Sequence, residues 1–405
     1  MMMDVIKGVP ADERNRGGVT GTLYDVEAEV MRRYGEGANT VETGLCCSTE
    51  YDTQYLKPIP QEILEKDYGC GDPSKYVNEG ETVVDLGSGS GKICYILAQR
   101  VGHTGRVIGV DFNDEMLVLS RRYIDEMADK LGYRNVQFVK GKIQDLALNL
   151  EAAEAWLRKY PIQTFQDLSA FEAECERLRR EKPLIPDDSV DLVGSSCVLN
   201  LVKPQDKAKL FQEIYRVLKR GGRAVISDIV SDEDATPSIM SDPKLWSDCI
   251  AGAFREDTFL EMFERAGFYG IEILSRQSEP WRAIEGIEFR SVTVQAFKGK
   301  EGPCWERNQA VIYRGPWKSV KDDDGHTYAR GTRIAVCDKT HTILTDPDGP
   351  YSKDILSVPP RQDIPLEDAK PFECQGTRLR HPRETKGIEY NETVVNTSDC
   401  GPGCC

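Results

Sequence analysis

Histidine is scarce in this 405-residue chain, which holds only His103, His326, His341 and His381. A zinc site of mixed cysteine and histidine is therefore poorly supplied. Basic charge is also short: 52 Lys and Arg face 67 Asp and Glu, a formal net charge of −15. A phosphate-binding face needs the opposite balance, which argues against nucleic acid as substrate or partner. No apolar run reaches the roughly 18 residues that mark a membrane span. Met1 to Arg16 is polar and has no signal-peptide core. The expected setting is the cytoplasm, with no membrane partner. Cysteine is the residue in surplus, at thirteen. An odd number cannot pair completely within one chain, and in a reducing compartment such cysteines are more often metal-binding or catalytic than a disulfide framework.

The chain is organised around Val83-Val84-Asp85-Leu86-Gly87-Ser88-Gly89-Ser90-Gly91-Lys92. An apolar strand runs into a glycine-rich turn, and an apolar helix follows from Ile93. Glycines let the backbone turn tightly and approach a ligand closely. The next strand, Arg106 to Val110, ends in Asp111. An acid there can accept both hydroxyls of a ribose, at a spacing of about twenty residues from the glycine loop. The acid Asp85 precedes the glycines and suits a cationic ligand bearing an amino group better than a pyrophosphate. The stretch resembles motif I of the class I S-adenosylmethionine-dependent methyltransferases, which implies S-adenosylmethionine as methyl donor.

Taken in order, residues 1 to about 20 read as disordered, and Asp25 to Tyr34 as a short helix with Val26, Val30 and Met31 on one side. A loop holds Cys46 and Cys47, Gln61 to Lys66 is helical, and Gly69-Cys70-Gly71 is a turn. After the glycine loop, Asn113 to Leu131 has helical spacing of Met116, Leu119, Tyr123, Met127 and Leu131. Met116 reads equally as core or as a ligand contact. Strand three, Val136 to Val139, leads to Gly141-Lys142-Ile143-Gln144, where an adenine ring sits in this fold. Leu148 to Lys182 is an insertion, helical over Phe171 to Arg180, with Cys175 packed beside Phe171 and Leu178. Strand four (Val190 to Gly194), a helix from Asp206 to Leu218 ended by Gly221-Gly222, and strand five (Arg223 to Asp228) follow. Then come a helix from Glu256 to Ala266 and strands at Ile271 to Leu274 and Ser291 to Phe297. That alternation predicts an α/β fold: a doubly wound, mostly parallel, Rossmann-like sheet. Beyond residue 300 helical periodicity fades, and Ala310 to Tyr313 and Arg333 to Cys337 are short strands of a smaller C-terminal domain. The division expected is an N-terminal extension over 1–40, a methyltransferase domain over 41–300, and a C-terminal domain over 301–405. The last ends in Cys400-Gly401-Pro402-Gly403-Cys404-Cys405, either a metal-loading arm or an incidental tail.

In a doubly wound sheet, ligands bind outside the carboxyl ends of the strands at the topological switch point. Cys197 lies just past strand four, Cys249 beyond strand five on the same edge, and Cys70 in the turn before strand one. Three cysteines far apart in sequence can therefore converge beside the donor, whereas Cys94 reads as core. Three thiolates suit a soft, thiophilic centre. Zinc wants four ligands in a structural site. Trivalent arsenic forms three bonds to sulfur and keeps a lone pair that is itself nucleophilic. No histidine or paired carboxylate stands beside the donor as an oxygen or nitrogen methyl acceptor would require. Three unrelated buried cysteines remain the plain alternative.

The stretches Thr43-Gly44-Leu45-Cys46, Tyr68-Gly69-Cys70-Gly71, Asp85 to Lys92, Ser196-Cys197-Val198-Leu199-Asn200-Leu201 and Cys249-Ile250-Ala251-Gly252-Ala253 resemble the arsenite methyltransferase family, over about residues 40 to 300. The resemblance implies that Cys70, Cys197 and Cys249 hold As(III). It also implies that a first-loop cysteine forms a redox disulfide with Cys70 during turnover; Cys46 matches best, with Cys47 beside it. The substrate implied is arsenite or its thiol conjugates, and the partner a thiol reductant such as glutathione or thioredoxin. The sequence departs from the family at Lys142 and Gln144, where tyrosine and glutamate are usual. The expected donor contacts are Asp85, Gly87 and Gly89 at the methionine end, Asp111 at the ribose, and Ile143 and Gln144 at the adenine edge, with Met116 adjacent. Two other readings are a class I methyltransferase acting on a small organic substrate and a non-enzymatic metalloid-sequestering protein. The cysteine contexts speak against the first, and the glycine loop with Asp111 against the second.

Overall fold

The computed structural model describes residues 26–41 and 49–392. The stretch expected to be disordered (1 to about 20), Cys46, Cys47 and the cysteine tail lie outside the described residues. The described chain opens with α1 (Val26–Asn39), α2 (Thr53–Leu56) and α3 (Gln61–Glu65). The alternating part runs β1 (Thr82–Leu86), α4 (Lys92–Val101), β2 (Arg106–Asp111), α5 (Asp114–Arg122), α6 (Ile124–Leu131) and β3 (Val136–Lys140). It continues through α7 (Leu150–Lys159), α8 (Phe165–Glu181), β4 (Val190–Ser196), α9 (Lys207–Val217) and β5 (Leu218–Ser231). The loop past β5 carries α10 (Pro237–Met240) and α11 (Pro243–Ser247), then β6 (Phe254–Arg255) and α12 (Glu256–Ala266). The sheet closes with β7 (Tyr269–Arg276), β8 (Arg282–Ile284) and β9 (Ile287–Phe297).

The main sheet has the order β3-β2-β1-β4-β5-β9-β7. The first five strands are parallel, and β9 is antiparallel to both β5 and β7. This is the doubly wound sheet expected from the alternation, with its switch point between β1 and β4. The central strands are buried on both faces, which is why they read as near-continuous apolar runs. One apolar core (Val84, Leu86, Ile214, Ile226, Phe263) lies on one side of the sheet, and a second (Val83, Ile96, Leu97, Val107, Leu117) on the other. Among the described residues no helix is long and apolar enough to cross a membrane.

Four local expectations change. The helix read over Asn113 to Leu131 breaks at Tyr123, whose backbone (φ −103°, ψ 6°) leaves the helical well. The break lets the Tyr123 hydroxyl donate to Glu62 on α3 while Met127 still enters the core. Both halves of the 148–182 insertion are helical. Asn149 caps α7, and a reciprocal capping box between Thr164 and Asp167 starts α8 at Phe165, six residues before the apolar spacing becomes visible. Gly221 and Gly222 do not end α9. The helix stops when Leu218 turns extended, its Arg216 and Val217 carbonyls accept from Asp188 and Ser189, and the glycines belong to β5, bonded to Lys298. Finally, α1 runs on to Asn39 and exposes Met31, burying Val30, Arg33 and Ala38 instead.

Residues 305–379 form smaller sheets with their own core. Strand β11 (Ala310–Tyr313) pairs with β14 (Arg333–Ala335) and β15 (Ile355–Val358), and β14 with β17 (Arg378–Leu379), all antiparallel. A ribbon joins β10 (Trp305–Glu306) to β16 (Lys370–Pro371), and a hairpin joins β12 (Ser319–Lys321) to β13 (Thr327–Ala329). Helix α13 (Asp338–Thr345) covers the four-stranded sheet, packing Leu344 over Val311, Tyr313 and Ile334; a last short helix, α14 (Pro382–Lys386), follows.

The glycine loop is sterically closed at its last member. Gly91 has φ +90°, and a Cβ there would lie 2.7 Å from the Phe138 ring. Gly91→Ala should lower unfolding stability by about 1–3 kcal/mol, read by urea denaturation, through strain and overpacking together.

Candidate active site

A cavity opens at the carboxyl ends of β1, β2 and β4, and its wall holds every donor contact expected from the sequence. Asp85, Gly87, Gly89, Asp111, Met116, Ile143 and Gln144 all line it. Gly87 has φ +66° and sits where a Cβ would lie 2.4 Å from Val198, so the backbone itself forms the floor. Asp111 accepts from the Gly89 N–H at 2.8 Å and the Asn113 N–H at 2.9 Å, locking strand end to glycine loop. Burial raises the Asp111 carboxyl above its ordinary value despite those bonds. Asp85 is pushed up to about 7, mainly by burial, and accepts from the Cys94 thiol at 3.2 Å. Cys94 is fully buried, as expected of a core residue, but it also touches this carboxylate. The Ser88 hydroxyl on the same wall is buried with no partner among the described residues. A buried acid of high pKa and an orphan hydroxyl in one cavity fit a cationic, polar ligand.

Helix α1 closes the cavity, which the sequence did not foretell. Glu27, Val30 and Tyr34 line it. Glu27 pairs with Lys142 at 2.6 Å and accepts from Gln144 at 3.2 Å, the two positions where the chain departs from the family pattern. Arg33 binds Asp248, and its guanidinium also donates to Ser247 at 2.6 Å. Asp248 in turn pairs with Arg282 at 2.8 Å. One helix thus touches both Gln144 and the residue before Cys249. A single sequence gives no local signal for where such a helix packs.

The cysteines meet next to the donor cavity. Cys70, Cys197 and Cys249 belong to one buried cluster with Ile229, Trp246 and Phe289. Cys197, Ser196 and Gly69 also line the donor cavity. The Ser196 hydroxyl accepts from the Cys70 and Gly71 N–H groups at 3.0 and 3.2 Å, and Ser291 donates to the Cys70 carbonyl at 2.6 Å. The Cys197 N–H donates to Ser227 at 2.8 Å, and the Cys70 thiol to the same carbonyl at 3.7 Å. Cys70, Cys197 and Asp228 place their ligand atoms within 4.8 Å of one another. Cys249 stands outside it: its thiol donates to the Cys197 carbonyl at 3.1 Å and lies 4.0 Å from the Tyr34 hydroxyl. Cys46 lies outside the described residues.

Asp228 was not singled out in the sequence. Like Asp85 and Asp111 it is an acid at the carboxyl end of an apolar strand, and that shared position was the available signal. It accepts from the Leu199 and Ile229 N–H groups at 2.8 Å each, and burial pushes it up to about 6. Burial lowers the nearby Lys207 to about 8; its ammonium lies 3.8 Å from the Phe254 ring centre and donates to the Gly252 carbonyl. Burial also raises the Tyr34 hydroxyl, with the Cys249 and Cys197 thiols adding to the effect, so it stays a neutral donor.

Comparison with known proteins gives a consistent result. A methyltransferase domain model matches residues 77–185 and 180–267, and a domain of unknown function matches 300–390. The chain is 31% identical to an arsenite methyltransferase of Aquipseudomonas alcaligenes over 78% of this chain and 87% of that protein. It is 28% identical to the human arsenite methyltransferase over 94% and 96%. The crystal structure of an arsenic(III) S-adenosylmethionine methyltransferase from Chlamydomonas reinhardtii aligns with a TM-score of 0.52 at 27% identity, covering 79% of this chain and 98% of that one.

Cys197 (φ +62°) and Cys249 (φ +60°) both occupy the left-handed region that disfavours a side chain. Such strain at two site residues calls for a functional reason. Cys197→Gly should therefore be more stable than Cys197→Ala by about 1 kcal/mol, measured by thermal unfolding. At a relaxed backbone position the order would reverse.

Proposed function

The chain belongs to the arsenite methyltransferase family, and from that premise we propose how its residues share the work. It is an enzyme that moves methyl groups from S-adenosylmethionine to trivalent arsenic. We assign the substrate to Cys70, Cys197 and Cys249. The observation that carries this reading is the one buried cluster that holds all three cysteines, set against a cavity that Cys197 also lines.

S-adenosylmethionine supplies a methyl group on a sulfonium, an electrophile that needs no further activation. Asp85 takes the amino group at the methionine end, Gly87 and Gly89 bring backbone close to it, and Asp111 takes the ribose hydroxyls. Ile143 and Gln144 flank the adenine, with Met116 beside the ribose. Helix α1 closes over these groups through Glu27 and excludes water. Each thiol that bonds arsenite releases its proton, which leaves with an arsenic hydroxide as water. Asp228, pushed up to about 6, is placed to take such a proton in transit. Three sulfurs leave the arsenic lone pair free, so methyl transfer needs no general base. The transfer removes two electrons from arsenic. The Cys46 thiol gives them back: it attacks the Cys70 sulfur, the arsenic–Cys70 bond breaks with its electron pair left on arsenic, and a Cys46–Cys70 disulfide forms, which a thiol reductant such as glutathione or thioredoxin reopens. The need for reduced thiols suits a cytoplasmic enzyme.

The assignment is tested by incubating the protein with arsenite, S-adenosylmethionine and a thiol, then separating arsenic species by chromatography. Methylated arsenic should form, and Cys70→Ser, Cys197→Ser and Cys249→Ser should each abolish at least one methylation step. Full activity in Cys197→Ser would sink the three-sulfur assignment. A second test uses pH. Asp85, near 7 in the empty cavity, must be ionised to pair with an ammonium group. Below that value binding must first expel a proton, so donor affinity should fall by up to about tenfold per unit as pH drops from 7 toward 5.5. Calorimetry on wild type and Asp85→Asn checks this; the variant should bind weakly at every pH, with the slope gone.

A further inference from the structure

Three cysteines that the methyl-transfer reading leaves unused meet in the C-terminal domain. Cys304, Cys337 and Cys374 place their sulfurs within 4.8 Å of one another. They are free thiols drawn from three segments. Pairing of β10 with β16 joins the first and third, and Phe372 donates to the Cys304 carbonyl at 2.9 Å. Trp305 donates to Asp338 at 3.0 Å, tying the first to the second, and the His326 ring donates to the Cys374 carbonyl at 2.7 Å. Cys337 is the N-cap of α13: its sulfur accepts from the Thr340 N–H at 3.4 Å and lies 3.2 Å from the Thr340 hydroxyl. Cys337 is buried, while Cys304 and Cys374 are half-buried and leave an approach from solvent.

We propose that Cys304, Cys337 and Cys374 form a second three-sulfur site that binds inorganic As(III), apart from the site of methyl transfer. This rests on the reading of the chain as an arsenite enzyme. A disulfide between any two of these thiols would strand the third. A structural zinc site takes four protein ligands, and the group contains no histidine or carboxylate among the described residues. Three sulfurs complete the valence of trivalent arsenic. In binding arsenite, three As–O bonds break and three As–S bonds form. Each thiol proton leaves with a hydroxide as water, and no oxidation state changes. The count also gives selectivity. A monomethylated arsenical has two bonds left for sulfur and a dimethylated one has a single bond, so the site favours substrate over product.

The test counts arsenic per chain on the full-length protein, reduced and passed through gel filtration, with Cys400, Cys404 and Cys405 replaced by serine throughout. Cys337→Ser and Cys374→Ser should each carry one arsenic fewer than the parent while still methylating arsenite. Serine at position 337 remains a good helix cap, and thermal unfolding checks that the variants fold. Dimethylated arsenic(III) should not compete at this site. An unchanged count in both variants would overturn the proposal, as would one zinc per chain in the purified parent that Cys337→Ser removes. Cys197→Ser is the control for the other site. If it keeps its arsenic while Cys337→Ser loses one, the failure belongs to the active-site assignment and not to this one.

Discussion

The carboxylate of Asp228 is the fixed point at the carboxyl edge of the sheet. It is fully buried and accepts from Leu199 on the loop after β4 and from Ile229 on β5. Those two bonds hold the Cys197 turn against the end of β5, where the Ser227 carbonyl takes the Cys197 N–H. The next contacts follow from that closure. Asn200 reaches the Ile229 and Cys249 carbonyls at 2.6 and 3.1 Å, carrying the fixed geometry across to the second loop. Gly252 fits because a Cβ there would lie 2.0 Å from the Asn200 carbonyl. Without the Asp228 acceptor, two buried N–H groups would lack partners, at a cost of about 1–3 kcal/mol each, and the Cys197 turn would lose its hold.

Three buried carboxylates line one edge, and burial raises all three. In the empty protein their ionised forms are disfavoured. In the proposed reading each meets a ligand group that supplies what burial removes: an ammonium at Asp85, hydroxyl donors at Asp111, departing thiol protons at Asp228. The excess of negative charge over the whole chain acts in the same direction, since it favours a cationic donor and is indifferent to neutral arsenite. Perturbed acids gathered at one edge are a mark of a functional site.

What the sequence made legible was what obeys local rules. The glycine loop, the acid at the end of β2, and the alternation that orders the sheet are short-range patterns, and topology alone then brings the Cys70, Cys197 and Cys249 segments to one edge. The break at Tyr123 was hidden because Met116, Leu119 and Met127 keep helical spacing through it. The α8 start was hidden because the Thr164–Asp167 cap precedes the apolar residues. Glu27 was out of reach for a different reason. Its partners Lys142 and Gln144 lie more than a hundred residues away, and only the folded chain explains them. Read alone, Lys142 and Gln144 were departures from a family pattern. With Glu27 opposite, they are one arrangement that fastens α1 over the cavity.

The two sulfur clusters differ in backbone strain. Cys197 and Cys249 are held at positive φ by bonds from β5 and Asn200, whereas Cys337 caps α13 at φ −70° and neither Cys304 nor Cys374 has positive φ. A site that only binds needs its sulfurs near one another, and relaxed segments achieve that. A site that must also aim an arsenic lone pair along one line toward a methyl group needs its sulfurs fixed in direction as well as distance. Strain of a few kcal/mol is tolerated when the surroundings over-determine it. The contrast matches the division of labour proposed above, with chemistry at the strained pair and capture at the relaxed trio.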